Sequence, residues 1–513
     1  MKKSLFVAFV VSLGGFLFGF DAGIISGVMS YAGPEFNLSD GQLGWAVSSP
    51  SFASMFAMLV SGRLSDIIGR KRILIMVAFL YALSAILSAY ATSYEMLYIA
   101  RMIGGLAFGA ALILAPTYIA EISSAKNRGQ LVSIQQLNIV LGFFAAFLSN
   151  YFFNKAFTSG ESTFLTEANV WRWMLGVEFL PAILYFILMF FVPKSPRWLF
   201  TKNRREEAVL VLESMHGASL AQEEAHMIVD SLEKNKAVEE NVRLKDLFKP
   251  ALKFVMIVGL VIGVLQQITG INAIYFYATS IFKQTGIGTD AAFASGILLS
   301  LTTVAFTIVA MFLIDRMGRR PLMLVGVGGI ALSLLICAYG FNQATYNLSS
   351  EKIARFEFNG KEKLEGFSGQ TFNNDLEFKN AMKSALGNQV YSKNEGVILE
   401  AATSMNAVLV LIGILGFIAC FAFSLGPVMW VMLSELFPNM YRGLAIGVIG
   451  FVNSFVSWLV QQVFPWELSN LGNAMSFFIF GAIALVGFFI MLNILPETKG
   501  KSLEEIEQDL VKA

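Results

Sequence analysis

Between Gln266 and Tyr277 the chain reads Gln-Gln-Ile-Thr-Gly-Ile-Asn-Ala-Ile-Tyr-Phe-Tyr, inside an apolar run, residues 254–282, long enough to cross a bilayer. Three carboxamides and two phenols are costly to bury there without partners. Such groups can act as glue between membrane helices. Gln266 and Gln267, however, lie about 100° apart around a helix, and Asn272 falls on another side again. One adhesive stripe does not need three faces. Gly270 between them permits local unwinding, which is tolerated at membrane depth only beside protein or a watery cavity. The pattern points to a polar cavity for a ligand rich in hydroxyls.

Three ionisable residues also fall well inside the apolar runs of the N-terminal half: Asp21, Arg101 and Glu178. Asp21 lies about 25 Å along a helix from the start of its run. Arg101 and Glu178 each sit a turn or two in from the far ends of theirs. With an apolar core of about 30 Å, all three reach similar depth. A buried charge without a partner costs several kcal/mol, so Asp21 and Arg101 are expected to pair. The pair can be read as static structure. It can also be read as a switch, in which a proton on Asp21 releases Arg101 and lets the helices rearrange. Glu178 is the alternative proton carrier.

Composition sets the elements that must hold these groups. The chain has 513 residues, 56% hydrophobic and 14% charged, with a mean hydropathy of +0.64. That is a polytopic helical membrane protein and not a soluble enzyme. A net charge of +1 leaves no nucleic-acid footprint. Cys337 and Cys420 lie in apolar runs and imply no disulfide framework. The two histidines, His216 and His226, lie in a charged stretch, so no buried metal site is expected. Met1-Lys2-Lys3 opens a run that continues to about Met29, too long for a signal peptide.

Twelve apolar runs of spanning length occur, at about 5–30, 43–62, 73–91, 95–121, 131–153, 171–192, 252–283, 289–314, 321–342, 404–437, 443–466 and 471–495. Basic residues cluster on alternate connections: Arg63, Arg70, Lys71 and Arg72; Lys126 and Arg128; Arg316, Arg319 and Arg320; Arg442. Both termini are therefore expected on the cytoplasmic side of the cell (inner) membrane. The expected organisation is all-α, twelve transmembrane helices in two pseudo-symmetric six-helix bundles, residues 1–193 and 252–495. A charged cytoplasmic linker with short amphipathic helices joins them at 194–251, and a cytoplasmic tail follows at 496–513. Residues 343–403 form a polar insert expected outside, since long loops translocate largely regardless of charge. Composition assigns it no function.

The halves repeat each other. Gly62-Arg63-Leu64-Ser65-Asp66-Ile67-Ile68-Gly69-Arg70-Lys71-Arg72 returns as Asp315-Arg316-Met317-Gly318-Arg319-Arg320. Glu121 with Arg128-Gly129 returns as Glu435 with Arg442-Gly443. Parallel repeats with a binding site at their interface mark a transporter. The sets Asp66/Arg70, Glu121/Arg128, Asp315/Arg319 and Glu435/Arg442 lie at helix ends. Singly, each reads as solvated surface charge. Duplicated, they read as a latch that holds the inner side shut.

These motifs resemble the sugar porter family of the major facilitator superfamily over essentially the whole chain. The resemblance rests on GRLSDIIGRKR (62–72), RMIGGLAFGAALILAPTYIAE (101–121), QQITGIN (266–272), GPVMW (426–430), SELFP (434–438) and PETKG (496–500). It implies the major facilitator fold and alternating access. It also implies sugar-hydroxyl ligands at Gln136 in the fifth span, at Gln266, Gln267 and Asn272 in the seventh, and at Asn453 in the eleventh, with Trp430 as an aromatic wall in the tenth. Carboxamides donate and accept at once, as sugar hydroxyls do, and an aromatic ring covers the C–H face of a pyranose. Proton coupling at Asp21 is implied too, since facilitative members tend to carry a neutral residue there.

The sequence departs from the family at four places. Phe276 stands where Tyr is usual, with Tyr277 as a substitute hydroxyl, and Ser454 stands where Trp usually follows the Asn. Phe20 precedes Asp21 where Tyr is common. Lys194 replaces the usual Glu in Pro-Lys-Ser-Pro-Arg, which weakens one cytoplasmic salt bridge. The first two leave the particular sugar open.

The leading expectation is a proton–monosaccharide symporter for a hexose or pentose, working as a monomer in the lipid bilayer without a cofactor. A facilitative sugar uniporter with the same pocket is the alternative. A non-transporting sugar receptor is a further one, although such proteins usually carry long cytoplasmic tails and only 18 residues follow Leu495. No nucleophile–base set or phosphate loop is apparent, so an enzyme is not expected.

Overall fold

Long apolar helices dominate the computed structural model, which describes residues 2–124, 127–160, 162–239, 244–500, 505–506 and 510. Among the described residues, 12 spans are long and apolar enough to cross a membrane. In the N-half these are α1 (Lys2–Glu35), α2 (Asp40–Ile68), α3 (Arg70–Ala89), α4 (Tyr94–Ile122) and α5 (Arg128–Thr158), then the broken pair α6 (Val170–Gly176) and α7 (Phe179–Met189). Three shorter helices make the linker: α8 (Pro196–Thr201), α9 (Arg205–His216) and α10 (Ala218–Glu239). The C-half begins with three consecutive segments, α11 (Lys253–Ile268), α12 (Ile271–Phe276) and α13 (Ala278–Lys283), and continues with α14 (Thr289–Met317) and α15 (Arg319–Asn342).

Local sequence sets the boundaries. Ser39 and Gln42 form a reciprocal capping box at the start of α2. Gly69 and Gly318 take φ +100° and +96° at the α2–α3 and α14–α15 turns, a backbone region that glycine alone enters without strain. The same reversal thus recurs at the same place in each half.

After α15 comes the insert, which the sequence presented only as a polar connection. It folds as a module. Strands β1 (Thr345–Asn347), β2 (Thr371–Phe372) and β3 (Thr403–Ser404) form a small antiparallel sheet in the order β2-β1-β3. Helices α16 (Ser350–Ala354), α17 (Asp375–Leu386) and α18 (Asn388–Ala402) pack beside it. Tyr346, Phe378, Met382, Tyr391 and Leu399 fill a core of its own. Strands of two or three residues carry no readable alternation, which is why the sequence hid them. The module is fastened to the C-half by Asp375, which accepts from the Asn473 backbone N–H at 3.1 Å and side-chain Nδ2 at 2.8 Å. Gln284 adds a bond to Glu395 at 3.2 Å. One ion pair, Lys393 to Glu167 at 2.8 Å, reaches the N-half.

The chain then completes the C-half with α19 (Ala407–Phe423) and α20 (Leu425–Leu436), α21 (Asn439–Asn470) and α22 (Gly472–Ile494). The break between α19 and α20 falls at Ser424.

The halves meet on the side that bears the insert. One apolar cluster fills the C-half and continues into the N-half through Ile24, Val28, Ala146 and Phe147. A second, with Val7, Leu74, Tyr81, Leu114 and Tyr118, stays within the N-half towards the arginine-rich face. Backbones come very close at the junction: a Cβ on Gly44 of α2 would lie 2.3 Å from the Gln462 carbonyl of α21. Small residues are what permit such contacts between membrane helices.

Candidate functional site

The carboxamides of the seventh span are placed by its two interruptions. Gly270 (φ +88°) ends α11 in a left-handed turn, and the ring of Phe480 fills the space beside it. The unwinding leaves Gln266, Gln267 and Asn272 free to converge on one side although they would diverge on a continuous helix. Gln267 Nε2 donates to Asn453 Oδ1 at 3.2 Å and to Gln266 Oε1 at 3.3 Å. Asn272 Nδ2 donates to Gln267 Oε1 at 2.8 Å and to Ser457 Oγ at 2.6 Å. Asn453 Nδ2 donates to Gln266 Oε1 and to the Gly263 carbonyl, both at 2.8 Å. Gln266 is tied at its other end to the Leu425 carbonyl at the start of α20, at 3.0 Å. Four carboxamides from three helices, α11, α12 and α21, therefore form one cluster.

Two members of the cluster were not read from the sequence. Ser457 and Gln461 continue the line of Asn453 along α21, with Gln461 Nε2 donating to Ser457 Oγ at 2.8 Å. Their spacing of four was the available signal, since residues at i and i+4 share a helix face.

The structure leaves other expected ligands outside this cluster. Gln136 on α5 is half-buried, and Trp430 on α20 is 46% exposed with its ring close to Gly450, one turn from Asn453. Tyr277 does not serve as a spare hydroxyl beside the carboxamides. Its OH donates to the Gln461 carbonyl at 3.0 Å and its ring packs on Phe464, so it helps close the insert side. The unwound turn at Tyr277, between α12 and α13, points it that way.

Behind Tyr277 and Phe276 lies a cavity of about 1080 Å³ on the insert-bearing side, also lined by Thr158, Lys283, Asp290 and Glu395. It is a vestibule. Hydrogen bonds crossing between the halves surround it: Ser26 to Thr279 at 2.9 Å, Ser48 to Gln462 at 2.8 Å, Ser51 to Gln461 at 3.0 Å, and Gln462 to the Gly41 carbonyl at 3.0 Å. Among the described residues, the side-chain bonds that join the halves lie on this side or, for Ser454 and the Met58 sulfur, at mid-depth. The insert-bearing side is where the halves are bonded to each other.

In the N-half, Arg101 NH1 meets Asp21 Oδ1 at 3.1 Å, with the two side chains only 2% and 9% exposed. Arg101 also donates through Nε to the Ala46 carbonyl at 3.0 Å, which fixes its plane. Glu178 is buried at the break between α6 and α7.

The helix-end charges form two networks with the same plan. Arg70 meets Asp66 at 2.5 Å and Glu121 at 3.1 Å, and it donates to the Ser65 carbonyl at 3.2 Å. Ser195 Oγ donates to the other oxygen of Glu121 at 2.5 Å. In the C-half, Arg319 grips Glu435 through NH2 at 2.8 Å and Nε at 3.2 Å, and it donates to the Ile314 carbonyl at 3.1 Å. Thr498 Oγ1 donates to Glu435 at 2.6 Å.

The expected Asp66–Arg70 pair forms. Glu121 also bonds Arg70, and Glu435 bonds Arg319, because the glycine turns bring the next helix's first arginine against the carboxylate. Arg442 donates to the Phe437 carbonyl at 3.1 Å. The side chains of Arg128 and Asp315 lie outside the described residues. Each observed bridge joins helices of one half.

Glu497 was read only as part of a motif. Its two oxygens accept the first two amides of α15, Arg319 and Arg320, each at 3.1 Å. Burial pushes its carboxyl up, but the amides of Lys499, Arg319, Arg320 and Thr498 outweigh that and hold it below the usual glutamate range. Lys194 occupies the corresponding place in the N-half and turns to Glu207 on α9 at 2.9 Å. That hydrogen bond, with the charges of Lys194 and Arg204, holds Glu207 below its ordinary value despite some burial.

The family described as "Sugar (and other) transporter" matches residues 7–356 and 385–510, a gap that falls inside the insert. The arabinose-proton symporter of Bacillus subtilis (strain 168) is 32% identical over 508 residues, covering 99% of this chain and 95% of that protein. The D-xylose-proton symporter of Escherichia coli (strain K12) is 30% identical, covering 98% and 94%. The inward open conformation of the xylose transporter XylE from E. coli superposes with a TM-score of 0.75 at 26% identity, covering 98% of this chain and 99% of that one.

Proposed function

The chain belongs to the sugar (and other) transporter family, and on that premise we propose that it is a proton-coupled symporter carrying a monosaccharide, a hexose or pentose, by alternating access. The observation that carries the coupling is the buried Asp21–Arg101 pair, 3.1 Å apart. An ionised carboxylate at that depth is tolerable chiefly because Arg101 stands beside it. A proton on Asp21 removes that reason and leaves Arg101 with its bond to the Ala46 carbonyl. A gradient can bias the two faces only through such a difference between states. The symporter reading is favoured over a uniporter by that same pair, and by full-length relatives named as arabinose-proton and D-xylose-proton symporters.

The sugar ligands on this reading are Gln266, Gln267, Asn272 and Asn453 from the C-half, with Gln136 from the N-half and Trp430 as the apolar wall. The carboxamides bond one another through groups that both donate and accept. Each bond can therefore be exchanged for one to a sugar hydroxyl without stranding a polar atom. The arginine-rich side faces the cytoplasm with both termini, and the insert faces outwards. Asp66, Arg70, Glu121, Arg319 and Glu435 hold the cytoplasmic ends of each half as rigid units, with Arg128, Asp315 and Arg442 at the same ends. One chain holds the whole site, so a monomer suffices.

Counterflow in proteoliposomes with a panel of labelled hexoses and pentoses identifies the sugar. Asp21→Asn, a permanent mimic of the protonated form, should still exchange sugar but lose accumulation and sugar-induced alkalinisation, with Glu178→Gln as control. If Asp21→Asn still concentrates sugar in a proton-dependent way, the pair is structural. If the unmutated protein never concentrates sugar, it is a uniporter.

A further inference from the structure

Asp290 stands in the first turn of α14, at the rim of the vestibule, and nothing in the pocket or the Asp21 pair involves it. Its Oδ1 accepts from Asn154 Nδ2 at 2.6 Å, and Thr158 Oγ1 donates to its two oxygens at 3.3 and 3.5 Å. Asn154 is fully buried and is itself oriented by Tyr31, whose OH donates to Asn154 Oδ1 at 2.5 Å. The chain of donors runs Tyr31 to Asn154 to Asp290, from α1 through α5 into α14. It therefore crosses from the N-half to the C-half.

Apart from the Lys393–Glu167 pair, which comes from the insert, the other side-chain bonds across this side pair neutral groups with neutral groups. Here the acceptor is a carboxylate, and charge-assisted bonds are roughly twice as strong. Among the described residues, no Lys or Arg forms an ion pair with Asp290, and Asn154 and Thr158, its side-chain donors, stand on the opposite half. Separating the halves would exchange those donors for water and strip Asn154 of its acceptor.

We propose that Asp290 is the latch of the insert-side gate, acting through Asn154 and Thr158 to hold that side shut and to set the balance between the two faces. The proposal rests on the alternating-access reading above. A first-turn aspartate also favours its own helix through the dipole. That role needs no Asn154, which separates the two explanations.

Spin labels at Thr163→Cys and Asn470→Cys, exposed positions on opposite halves of this side, in a Cys337→Ala/Cys420→Ala background that still exchanges sugar, report the opening. Asp290→Ala and Asn154→Ala should each move the distance distribution towards the separated form, by about tenfold in the population ratio. The double variant should shift no further than either single one. Asp290→Asn keeps an acceptor at Oδ1 and should lie between, and it serves if the alanine variants do not fold. Unchanged distances in Asp290→Ala and Asn154→Ala, or strictly additive shifts, overturn the latch. An effect confined to Asp290 assigns it to helix stabilisation instead. If the unmutated protein keeps one distance with or without sugar, the alternating-access reading itself fails.

Discussion

At the arginine-rich side the two halves build the same network, then part at a single residue. In each, a positive-φ glycine turns the chain, the next arginine reaches back to a carbonyl five residues earlier, and it bonds a glutamate that also receives a hydroxyl. Gly69, Arg70, Ser65, Glu121 and Ser195 correspond to Gly318, Arg319, Ile314, Glu435 and Thr498. The residue before the hydroxyl is Lys194 in one half and Glu497 in the other. Glu497 caps α15, whereas the start of α3 has no side-chain cap. Lys194 instead ties the linker to the N-half. The arginine–glutamate core is therefore the shared skeleton, and the neighbouring position is free to take a local task.

Removing the skeleton should have the largest effect. Glu121→Gln and Glu435→Gln each remove the glutamate charge that a mostly buried arginine bonds, which costs about 1–3 kcal/mol. Thermal melts of the purified protein should show similar losses for both. A loss confined to one half would break the equivalence.

The cap comes next. Glu497→Ala should destabilise by about 1 kcal/mol, as loss of a helix cap does. Lys194→Ala should cost less, because both partners of its bridge are about a third exposed and screened by water. Equal losses in the same melts would make the two positions interchangeable after all.

Acid sharpens the same contrast. Glu497 titrates below its unfolded value of about 4.3. Its contribution is therefore present above that pH and is lost as pH falls through the folded value. Melts of the unmutated protein should lose this increment below about pH 4, and melts of Glu497→Gln should not. An identical acid limb in both would mean that Glu497 bears no net charge-dependent load.

The smallest expected effect is a gain. Lys194→Glu would offer a carboxylate to the open start of α3, worth about 0.3–1 kcal/mol of cap and dipole stabilisation. It would also lose Glu207 as a partner. A clear fall in melting temperature would show that the backbone at 194 does not present its side chain as 497 does.

Much of this was legible in the residues. The apolar runs marked the spans, the doubled motifs marked the halves, and the depth of Asp21 and Arg101 in their runs foretold their contact. The carboxamides near Gly270 announced their cluster because polarity at that depth demands partners. Chain spacing did not reveal the Arg70–Glu121 bridge, 51 residues apart, because the turn at Gly69 brings those two groups together. Tyr277 was misjudged because two helix breaks, not one, rotate the segment that carries it. Asp290 drew no reading from the sequence, since nothing local reveals donors on a helix from the other half.

The pairing of β1 with β3 sets Thr345 beside Ser404 and Tyr346 beside Thr403. The insert thus hangs from a neck one ladder wide, and its first and last residues are neighbours. Beyond the neck the module touches the membrane helices again, through Asp375, Glu395 and Lys393. The unmatched stretch, 357–384, includes Asp375. A module closed at its base keeps its two ends in place for the helices that flank it, whatever surface it carries between them.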